Sequence, residues 1–325
     1  MKAEGNALAG KVMVVTGASS GAGRAIAVEL AREGAFVVLA ARRVEALEEV
    51  AAECRALGAD ARVVPTDTRK PGDVQALAEA AAAVSGRIDM WVNNAGVLAA
   101  GALEALPVEV NDDVIRTNLL GYMHGAWAVL PFFKRQGYGI LVNNISVGGW
   151  FPTPYAAAYS ASKFGLRGFS ESLKGELSAY PSIHVCDLYP GFLDTPGIQH
   201  AANYTGHVLR PAPPVYDPRQ VARAVVQLAV APQSRRMVDA ASSFLRLSYS
   251  LFPRLSRNLT GAFIRAYLRR ADGILPTDGN VLEPVEYGNG IDGGWRNRAV
   301  PGPIRSGALL AAGLTLGLLL FSRRP

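Results

Sequence analysis

Short apolar runs alternate with amphipathic segments along roughly the first 230 residues of the chain. Runs such as residues 12–15 and 36–41 are apolar throughout, which is typical of strands that are buried on both faces of a sheet. The segments between them repeat apolar residues every three or four positions, which is the pattern of a helix. This alternation predicts an α/β fold with a doubly wound parallel sheet and helices on both faces. The predicted strands are residues 12–15, 36–41, 62–65, 88–92, 139–145 and 183–189. The predicted helices include residues 43–57, 71–84, 108–136 with an interruption at Pro131, 155–179 and 217–230.

A glycine-rich turn follows the first predicted strand and leads into a helical pattern. It reads Thr16-Gly-Ala-Ser-Ser-Gly-Ala-Gly23. Glycines let the backbone approach a phosphate closely, and the amides at the start of a helix point toward an anion. The turn is therefore a candidate site for the pyrophosphate of a dinucleotide. An ordinary turn made of small residues explains this segment equally well when it is taken alone.

Two arginines, Arg42 and Arg43, follow the second predicted strand. Sheets of this kind that bind NAD usually place an acidic residue there for the ribose hydroxyl, whereas an arginine suits the 2′-phosphate of NADP. Ala40 and Ala41 stand where the acidic residue would be. We therefore expect NADP(H) rather than NAD(H). The alternative is a pair of solvated arginines that open the helix at residues 43–57.

Tyr159 and Lys163 lie four residues apart in a predicted helix, so their side chains share one face. A cation close to a phenol favours the phenolate and lowers the pKa of the tyrosine, which suits a general acid or base. The spacing alone is common, since many such pairs are an exposed aromatic ring stacked along a lysine stem. Other motifs of the chain are needed to decide between these interpretations.

Those motifs resemble the short-chain dehydrogenase/reductase family in their order and spacing, over roughly residues 10–230. The resemblance implies a Rossmann-type dinucleotide-binding fold and an oxidoreductase that interconverts an alcohol and a carbonyl. It also implies a homodimer or homotetramer, the usual assemblies of the family. The matching motifs are Thr16-Gly-x-x-x-Gly-x-Gly23, Asn93-Asn-Ala-Gly96, Asn118, Ser146, Tyr159-x-x-x-Lys163 and Pro190-Gly-x-x-x-Thr195.

The resemblance implies roles for four catalytic residues. Tyr159 would exchange a proton with the substrate oxygen, and Lys163 would lower the pKa of the tyrosine and hold the nicotinamide ribose. Ser146 would hydrogen-bond the same substrate oxygen, and Asn118 would anchor a water that links Lys163 to solvent. A capping or surface hydroxyl is the alternative for the serine, and an amide bonded to backbone is the alternative for the asparagine.

Other residues at the carboxyl ends of the strands would bind the cofactor. Asp67 is expected near the adenine and Thr195 near the carboxamide, with a helix cap as the alternative for the threonine. Many NADP-binding members of the family carry a basic residue where this chain has Ser20, so the expectation of NADP depends on Arg42. The expected cofactor-binding residues are Thr16, Gly17, Ser19, Ser20, Gly21, Gly23, Arg42, Arg43, Asp67, Asn94, Ala95, Gly96, Tyr159, Lys163, Pro190, Gly191 and Thr195.

Large apolar residues near Ser146 and after Pro190 predict a lipophilic substrate, although core packing explains them as well. Two other functions stay open: reduction of a 3-oxoacyl group on an acidic carrier protein, and a non-catalytic dinucleotide sensor or scaffold. The four histidines show no metal-ligand spacing, so no metal is expected. The residues expected in the substrate pocket are Trp150, Phe151, Tyr155, Phe192 and Leu193.

Positive charge is concentrated in the last quarter of the chain. Residues 1–234 carry 20 basic and 21 acidic residues, whereas residues 235–325 carry 13 arginines, no lysine and 6 acidic residues. Within residues 244–270, apolar residues and arginines lie on different sides of a helix that Pro253 should break or kink. This pattern suits an anionic membrane surface or docking on the core or a partner subunit. Binding of nucleic acid is not expected.

Residues 307–321 form a run of fifteen uncharged, mostly apolar residues with arginines on both sides. As a helix the run would be about 22 Å long, shorter than the ~30 Å hydrocarbon core of a membrane. A C-terminal membrane anchor is the first interpretation, and a tail buried between subunits is the alternative. With no secretory signal at the N-terminus, we expect a cytoplasmic, membrane-associated catalytic domain, and we interpret Cys54 and Cys186 as buried free thiols. The predicted divisions are a catalytic domain at 1–234, an amphipathic helical extension at 235–272, a linker at 273–303 and a hydrophobic tail at 304–325.

Overall fold

The computed structural model describes residues 7–296 and is built on a central parallel sheet. Its strands, in chain order, are β1 (Val12–Thr16), β2 (Phe36–Ala41), β3 (Ala61–Pro65), β4 (Met90–Asn93), β5 (Ala99–Ala100), β6 (Gly139–Asn144), β7 (Ile183–Tyr189), β8 (Ala202–Asn203) and β9 (Arg235–Met237). Seven strands form the main sheet in the order β3-β2-β1-β4-β6-β7-β9, and every neighbouring pair is parallel. The two-residue strands β5 and β8 pair with each other in a second, small sheet.

Helices connect the strands of the main sheet and follow its last strand. They are α1 (Gly21–Arg32), α2 (Val44–Ala56), α3 (Pro71–Ser85), α4 (Val108–Ile115), α5 (Gly121–Gln136), α6 (Ala157–Glu176), α7 (Arg219–Val230), α8 (Ala240–Leu251) and α9 (Pro253–Leu268). A π-helical turn, Arg116–Leu120, joins α4 to α5. The helical stretch predicted at residues 108–136 is therefore continuous in the structure, and the predicted interruption at Pro131 is wrong, since this proline lies inside α5.

Helices cover both faces of the main sheet. Met13 and Val15 of β1 belong to a core that includes residues of α1, α2 and α7. Val12 and Val14 belong to a second core, which includes residues of α3, α5 and α6. Successive side chains of a strand point to opposite faces, so one fully buried strand contributes to both cores. This arrangement confirms the predicted doubly wound fold.

The order of the strands reverses between β1 and β4. The chain passes from β1 to β2 and β3 on one side, and then returns to place β4, β6, β7 and β9 on the other. The connections that leave the carboxyl ends of β1 and β4 therefore diverge and leave a crevice between them. This crevice is where the fold predicts a ligand.

Strand β9 is absent from the sequence prediction, since two of its three residues are arginines and it has no apolar run. The break expected at Pro253 is confirmed, because residues 244–270 belong to two helices, with α8 ending at Leu251 and α9 beginning at Pro253. Proline is favoured at the first position of a helix, where its missing N–H is not needed.

The hydrophobic tail predicted at residues 304–325 lies outside the described residues. Within residues 7–296, no helix is long and apolar enough to cross a membrane. Cys54 and Cys186 are buried free thiols, as predicted. Burial raises the pKa of each thiol to about 11, so both are protonated and unreactive at neutral pH.

Gly125 of α5 offers a test of how tightly the sheet and its helices are packed. A Cβ at Gly125 would lie 2.2 Å from Oδ1 of Asn93 and 2.7 Å from Nε1 of Trp91, and both residues are buried. We expect Gly125→Ala to lower the free energy of unfolding by about 1 to 3 kcal/mol through overpacking. Gly168→Ala on α6 meets no atom within 4 Å and should stabilise the helix slightly. Urea unfolding of both variants measures the difference, and equal midpoints would contradict it.

Candidate active site

A cavity of about 400 Å³ opens at the carboxyl ends of β1, β4 and β6. It brings together most of the residues that the sequence predicts for the site, although they come from distant parts of the chain. Thr16 and Asn118 do not line it and are buried. The predicted residues that line the cavity are Gly17, Ser19, Ser20, Gly21, Gly23, Arg42, Arg43, Asp67, Asn94, Ala95, Gly96, Ser146, Tyr159, Lys163, Pro190, Gly191 and Thr195.

Three glycines shape the turn between β1 and α1. Gly17 (φ +66°) and Gly21 (φ +53°) adopt the left-handed conformation that residues with a Cβ rarely take. A Cβ on Gly23 would lie 2.0 Å from the carbonyl oxygen of Gly17, so no side chain fits there. Because α1 begins at Gly21, its N-terminal amides and their partial positive charge lie at the cavity wall. The turn can hold a phosphate group in this geometry.

Thr16, Asn94 and Asn144 connect the ends of three strands. The hydroxyl of Thr16 accepts a hydrogen bond from the backbone N–H of Asn94 at 2.9 Å and donates to the carbonyl of Val92 at 3.2 Å. The side-chain amide of Asn94 donates to the carbonyl of Thr16 at 3.0 Å and accepts from the amide of Asn144 at 2.8 Å. Thr16 therefore lies behind the cavity wall and holds the end of β4 and Asn94 in position through these hydrogen bonds.

Ser146, Tyr159 and Lys163 meet at one wall of the cavity. Ser146 lies just beyond β6, and the other two residues lie one turn apart on α6. The hydroxyl of Ser146 hydrogen-bonds with Tyr159 and accepts from the amide of Gly148 at 3.2 Å. Nζ of Lys163 lies 5.6 Å from the centre of the Tyr159 ring. The φ angle of Ser146 is +99°, a strained conformation for this residue that is characteristic of functional sites.

Burial dominates the electrostatics of the tyrosine and the lysine. It lowers the pKa of Lys163 to about 7, because a buried ammonium group loses its hydration. Burial also raises the pKa of Tyr159, and its hydrogen bond with Ser146 acts in the opposite direction without reversing the shift. The predicted lowering of the tyrosine pKa by Lys163 is therefore wrong: burial raises the pKa of Tyr159, and the interaction that acts against this shift is with Ser146.

Asn118 lies in the π-helical turn between α4 and α5. Its side-chain oxygen accepts from the backbone N–H of Val97 at 2.8 Å, and its side-chain nitrogen donates to the carbonyl of Val97 at 2.8 Å. The same nitrogen lies 3.4 Å from the hydroxyl of Ser162 on α6. The side-chain amide is thus bonded to backbone, which is the alternative that the sequence left open for Asn118, and its oxygen keeps one acceptor position.

The C-terminal segment at residues 277–296, which we call the strap, contributes to the cavity wall. Its composition predicts a linker and gives no sign of a part in the site. Its contacts run largely through backbone carbonyl groups, which carry no sequence signature. The strap residues that line the cavity are Asn280, Pro284, Val285 and Asn289.

Arg42 and Arg43 point at the strap. Arg42 donates to the carbonyls of Asn280 at 2.6 Å and Leu282 at 3.3 Å. Arg43 donates to the carbonyl of Val285 at 2.6 Å and to Oδ1 of Asn289 at 2.7 Å. Burial lowers the pKa of Arg42, and the charge of the nearby Arg69 adds to the shift.

Asp67 lies at the cavity wall beyond β3 and pairs with Arg69 at 2.7 Å. Burial opposes ionisation of Asp67, but the hydrogen bonds and the charge of Arg69 outweigh it and hold the pKa of Asp67 below its ordinary value. Arg69 also pairs with Asp113 of α4. Asp67 is therefore ionised, and its charge is paired with that of Arg69.

The substrate side of the cavity differs in part from the prediction. Phe192 and Leu193 line it, but Trp150, Phe151 and Tyr155 do not. The short turn after Ser146 carries Trp150 away from the cavity, where its ring packs 5.8 Å from that of Tyr189. Phe151 packs instead against Tyr249 of α8. The apolar side chains that line the cavity are Val97, Leu98, Ile145, Val147, Phe192, Leu193 and Ile198.

The model of one protein family, described as short chain dehydrogenase, matches residues 11–204. The oxidoreductase YxnA of Bacillus subtilis (strain 168) is 36% identical over 254 residues, which cover 77% of this chain and 71% of YxnA. The 11-beta-hydroxysteroid dehydrogenase A of Sesamum indicum is 38% identical over 58% of this chain, and the match spans 54% of that protein.

Solved structures agree with these matches. The alcohol dehydrogenase of the archaeon Thermococcus sibiricus, complexed with 5-hydroxy-NADP, superposes with a TM-score of 0.61 at 30% identity and covers 70% of this chain and 95% of its own. A metagenomic short-chain oxidoreductase in complex with NADP gives a TM-score of 0.61 at 34% identity, covering 71% and 97% of the two chains. The fold and these matches are those of an oxidoreductase. The chain belongs to the short chain dehydrogenase family.

The buried ammonium group of Lys163 predicts a pH-dependent change in stability when it is removed. The lysine has a pKa of about 7 in the folded chain against an ordinary value of 10.5. Below pH 7 it is protonated in both states and its burial cost is fully present; between pH 7 and 10.5 the folded state sheds the proton and the cost declines. Lys163→Met should therefore raise the free energy of unfolding, and this increase should be about 2 to 3 kcal/mol smaller at pH 9 than at pH 7.

Urea unfolding of Lys163→Met and the wild type at both pH values measures this change. Lys70→Met, at an exposed position before α3, is the control and should show no such pH dependence. A stability difference for Lys163→Met that stays constant from pH 7 to pH 9 would contradict the burial of a charged lysine.

Proposed function

We propose that this protein is an NADP(H)-dependent oxidoreductase that interconverts an alcohol and a carbonyl on a lipophilic substrate, with Tyr159 as the acid and base. The observation that carries the proposal is the meeting of Ser146, Tyr159 and Lys163 in the same cavity as the glycine turn after β1. A donor for the substrate oxygen and a cradle for phosphate thus share one enclosed space.

The residues at the adenosine end of the cavity suit NADP(H). The acceptors of Arg42 and Arg43 are three backbone carbonyls and one side-chain amide, all of them neutral. No carboxylate of residues 7–296 lies within ion-pair distance of either guanidinium. Two cations without a paired anion favour a phosphate, and a guanidinium binds phosphate well. Both structural relatives described above are complexes with NADP or a derivative of it, which supports the same choice.

Tyr159 and Ser146 can hold the substrate oxygen between their hydroxyl groups. In reduction Tyr159 donates its proton to that oxygen, and in oxidation it takes the proton back. Bound NADP(H) supplies or takes up the hydride. Lys163, with a pKa of about 7, changes its protonation in the range in which the tyrosine must be resupplied with a proton. A buried lysine poised at this value suits a proton relay to Tyr159.

The lining of the cavity supports a lipophilic substrate. Apolar side chains from the segments after β4, β6 and β7 surround Ser146 and Tyr159, and Phe192 is 39% exposed at the cavity mouth. Burying apolar surface of the substrate against them contributes about 25 cal/mol per Å² to binding. A substrate with an apolar body next to its carbonyl or hydroxyl group fits this lining.

Tyr159→Phe tests the assigned chemistry, because it removes only the hydroxyl group. We expect kcat for NADPH-dependent reduction of ketones graded in lipophilicity to fall about 10²- to 10⁴-fold, the usual contribution of a general acid. Binding of NADPH, followed by its fluorescence, should stay within a few-fold. Tyr180→Phe, at an exposed position, makes the same chemical change and should leave kcat unaltered. Retention of more than a tenth of the wild-type kcat in Tyr159→Phe would rule out the role.

The α8–α9 ridge, defined by Leu247, Leu251, Phe252 and Leu255, supports association with a membrane. These four side chains are 58%, 59%, 41% and 48% exposed. Residues 240–271 around them contain six arginines and no acidic residue. Exposed apolar side chains among arginines match the interface of an anionic bilayer. We infer that the catalytic domain rests on a membrane through this ridge.

Sedimentation of the full chain with lipid vesicles tests the ridge. Leu251→Ser/Leu255→Ser should reduce the bound fraction about five-fold or more on phosphatidylglycerol-rich vesicles, since each lost apolar contact weakens partitioning. Leu275→Ser, at a position 84% exposed outside the ridge, is the control and should bind as the wild type does. Binding that is equal for the double variant and the control would show that another part of the chain is responsible.

A further inference from the structure

The strap crosses the adenosine end of the cavity and is fixed on both sides. At its start, Thr277 exchanges backbone hydrogen bonds with Asn203 of β8, at 2.7 and 3.1 Å. At its end, the backbone N–H of Trp295 donates to Asp194 at 2.7 Å, and Arg296 pairs with the same carboxylate at 3.0 Å. Asp194 is only 2% exposed, so this attachment is buried.

A second set of charges fixes the strap close to its end. Asp292 pairs with Arg219 of α7 at 2.8 Å and with Arg296 at 2.9 Å. Arg296 also reaches Asp217 at 3.1 Å. None of these four residues lines the cavity. The strap is therefore anchored from outside the site by a network that does not itself meet a ligand.

Between its two ends the strap bonds to groups that surround a phosphate site. Besides Arg42 and Arg43, it reaches the first amide of α1, since Gly21 donates its N–H to the carbonyl of Gly290 at 2.9 Å. Arg24 of the same helix donates to the carbonyl of Asn289 at 2.8 Å. The strap thus holds the helix start and both arginines in one fixed arrangement.

The strap supplies Arg42 and Arg43 with neutral hydrogen-bond acceptors, and some N–H groups of each guanidinium stay free for a ligand. A guanidinium has five N–H donors. The two acceptors that the strap supplies to Arg42, and the two it supplies to Arg43, restrict the rotamers of both side chains without neutralising their charge. An arginine held in this way loses little further conformational freedom when an anion binds.

One strap side chain reaches the cavity with an unused polar atom. Oδ1 of Asn280 is buried and has no hydrogen-bond partner among residues 7–296. Buried polar groups in native proteins are normally satisfied, and an amide oxygen only accepts hydrogen bonds, so this atom at the cavity wall can receive a donor of a cofactor such as a ribose hydroxyl, whereas a phosphate would bind the arginines. The strap also begins well beyond residue 204, where the family match ends. This wall of the cavity therefore lies outside the region shared with the family model.

We propose that the strap is a specificity element of the cofactor site, which holds Arg42 and Arg43 in position so that the 2′-phosphate of NADP(H) completes their coordination. The inference rests on the proposed use of NADP(H) and adds that discrimination against NAD(H) depends on the strap as well as on the arginines. Asn289, whose side chain contacts Arg43, is a positioning residue in this scheme.

Asn289→Asp is the sharpest test, because it keeps the size of the side chain and the acceptor for Arg43 while adding a negative charge. The carboxylate would neutralise Arg43 and repel the 2′-phosphate. We expect the Kd for NADPH to rise about 10-fold or more and the Kd for NADH to change less than about three-fold, measured by nicotinamide fluorescence at fixed salt. Asn258→Asp, at an exposed position of α9, adds the same charge elsewhere and should leave both constants unchanged.

Asp292→Asn provides a second test that leaves the cavity wall untouched. It weakens the ion pairs with Arg219 and Arg296 and loosens the strap, so the preference for NADPH over NADH should fall about three-fold or more. A purely structural role would raise both dissociation constants equally and leave their ratio unchanged. The ratio of the two dissociation constants does not depend on cofactor concentration, so a higher concentration of cofactor should not restore it.

The outcomes separate this inference from the proposed function. If Arg42→Ala abolishes the preference for NADPH while Asn289→Asp and Asp292→Asn keep the wild-type ratio, the arginines act alone and the strap inference is overturned. If the wild type binds NADH as tightly as NADPH, the proposed cofactor is wrong. Loss of the ratio in all three variants, with normal binding of NADH, supports the strap.

Discussion

A chain of amide hydrogen bonds holds together the ends of β1, β4 and β6, and the cavity depends on it. Asn93 donates to Asn143 at 3.0 Å and accepts from Trp91 at 2.9 Å, and both asparagines are fully or almost fully buried. One residue further along each strand, Asn94 and Asn144 repeat the connection and extend it to the glycine turn through Thr16. Buried amides stabilise a fold when their partners are present, and among the side-chain oxygens of these four asparagines Oδ1 of Asn144 alone lacks a partner among residues 7–296. The same bonds therefore fix the strand ends and the positions of the groups that follow them.

Two cations at the cavity, the half-buried Arg42 and the buried Lys163, have no ion-pair partner among residues 7–296, and burial lowers the pKa of both. Several other cations have carboxylate partners, as Lys174 has with Asp187 at 2.7 Å and Arg69 with Asp67. An unpaired buried charge destabilises a protein unless a ligand or a reaction uses it. Arg42 is suited to binding an anion, whereas Lys163 is suited to exchanging a proton.

The repeating pattern of apolar runs was sufficient to predict the sheet, its parallel strands and the edge at which ligands bind. It was sufficient because the inner strands of the sheet are largely buried on both faces, whereas the helices that pack on them are buried on one. Strand β9 escaped the same reasoning, since a short edge strand rich in arginine carries no apolar signal. The motif residues of the cavity were predicted because the motifs specify residue types at fixed spacings, which can be read directly from the sequence. The direction of Trp150 was not predictable, since it depends on the turn at residues 147–149. The strap was missed because it acts through its backbone.

The contacts of the strap connect parts of the chain that are far apart in sequence. Arg42 and Asn280 are separated by 238 residues, and Arg24 and Asn289 by 265. During synthesis the sheet and its helices leave the ribosome well before the strap, and domains generally fold as units as they emerge. The catalytic fold can therefore form while the adenosine end of its cavity is still uncovered. Contacts of such long sequence separation form slowly, so we expect a nascent chain to possess the fold before the strap completes the wall of the cavity.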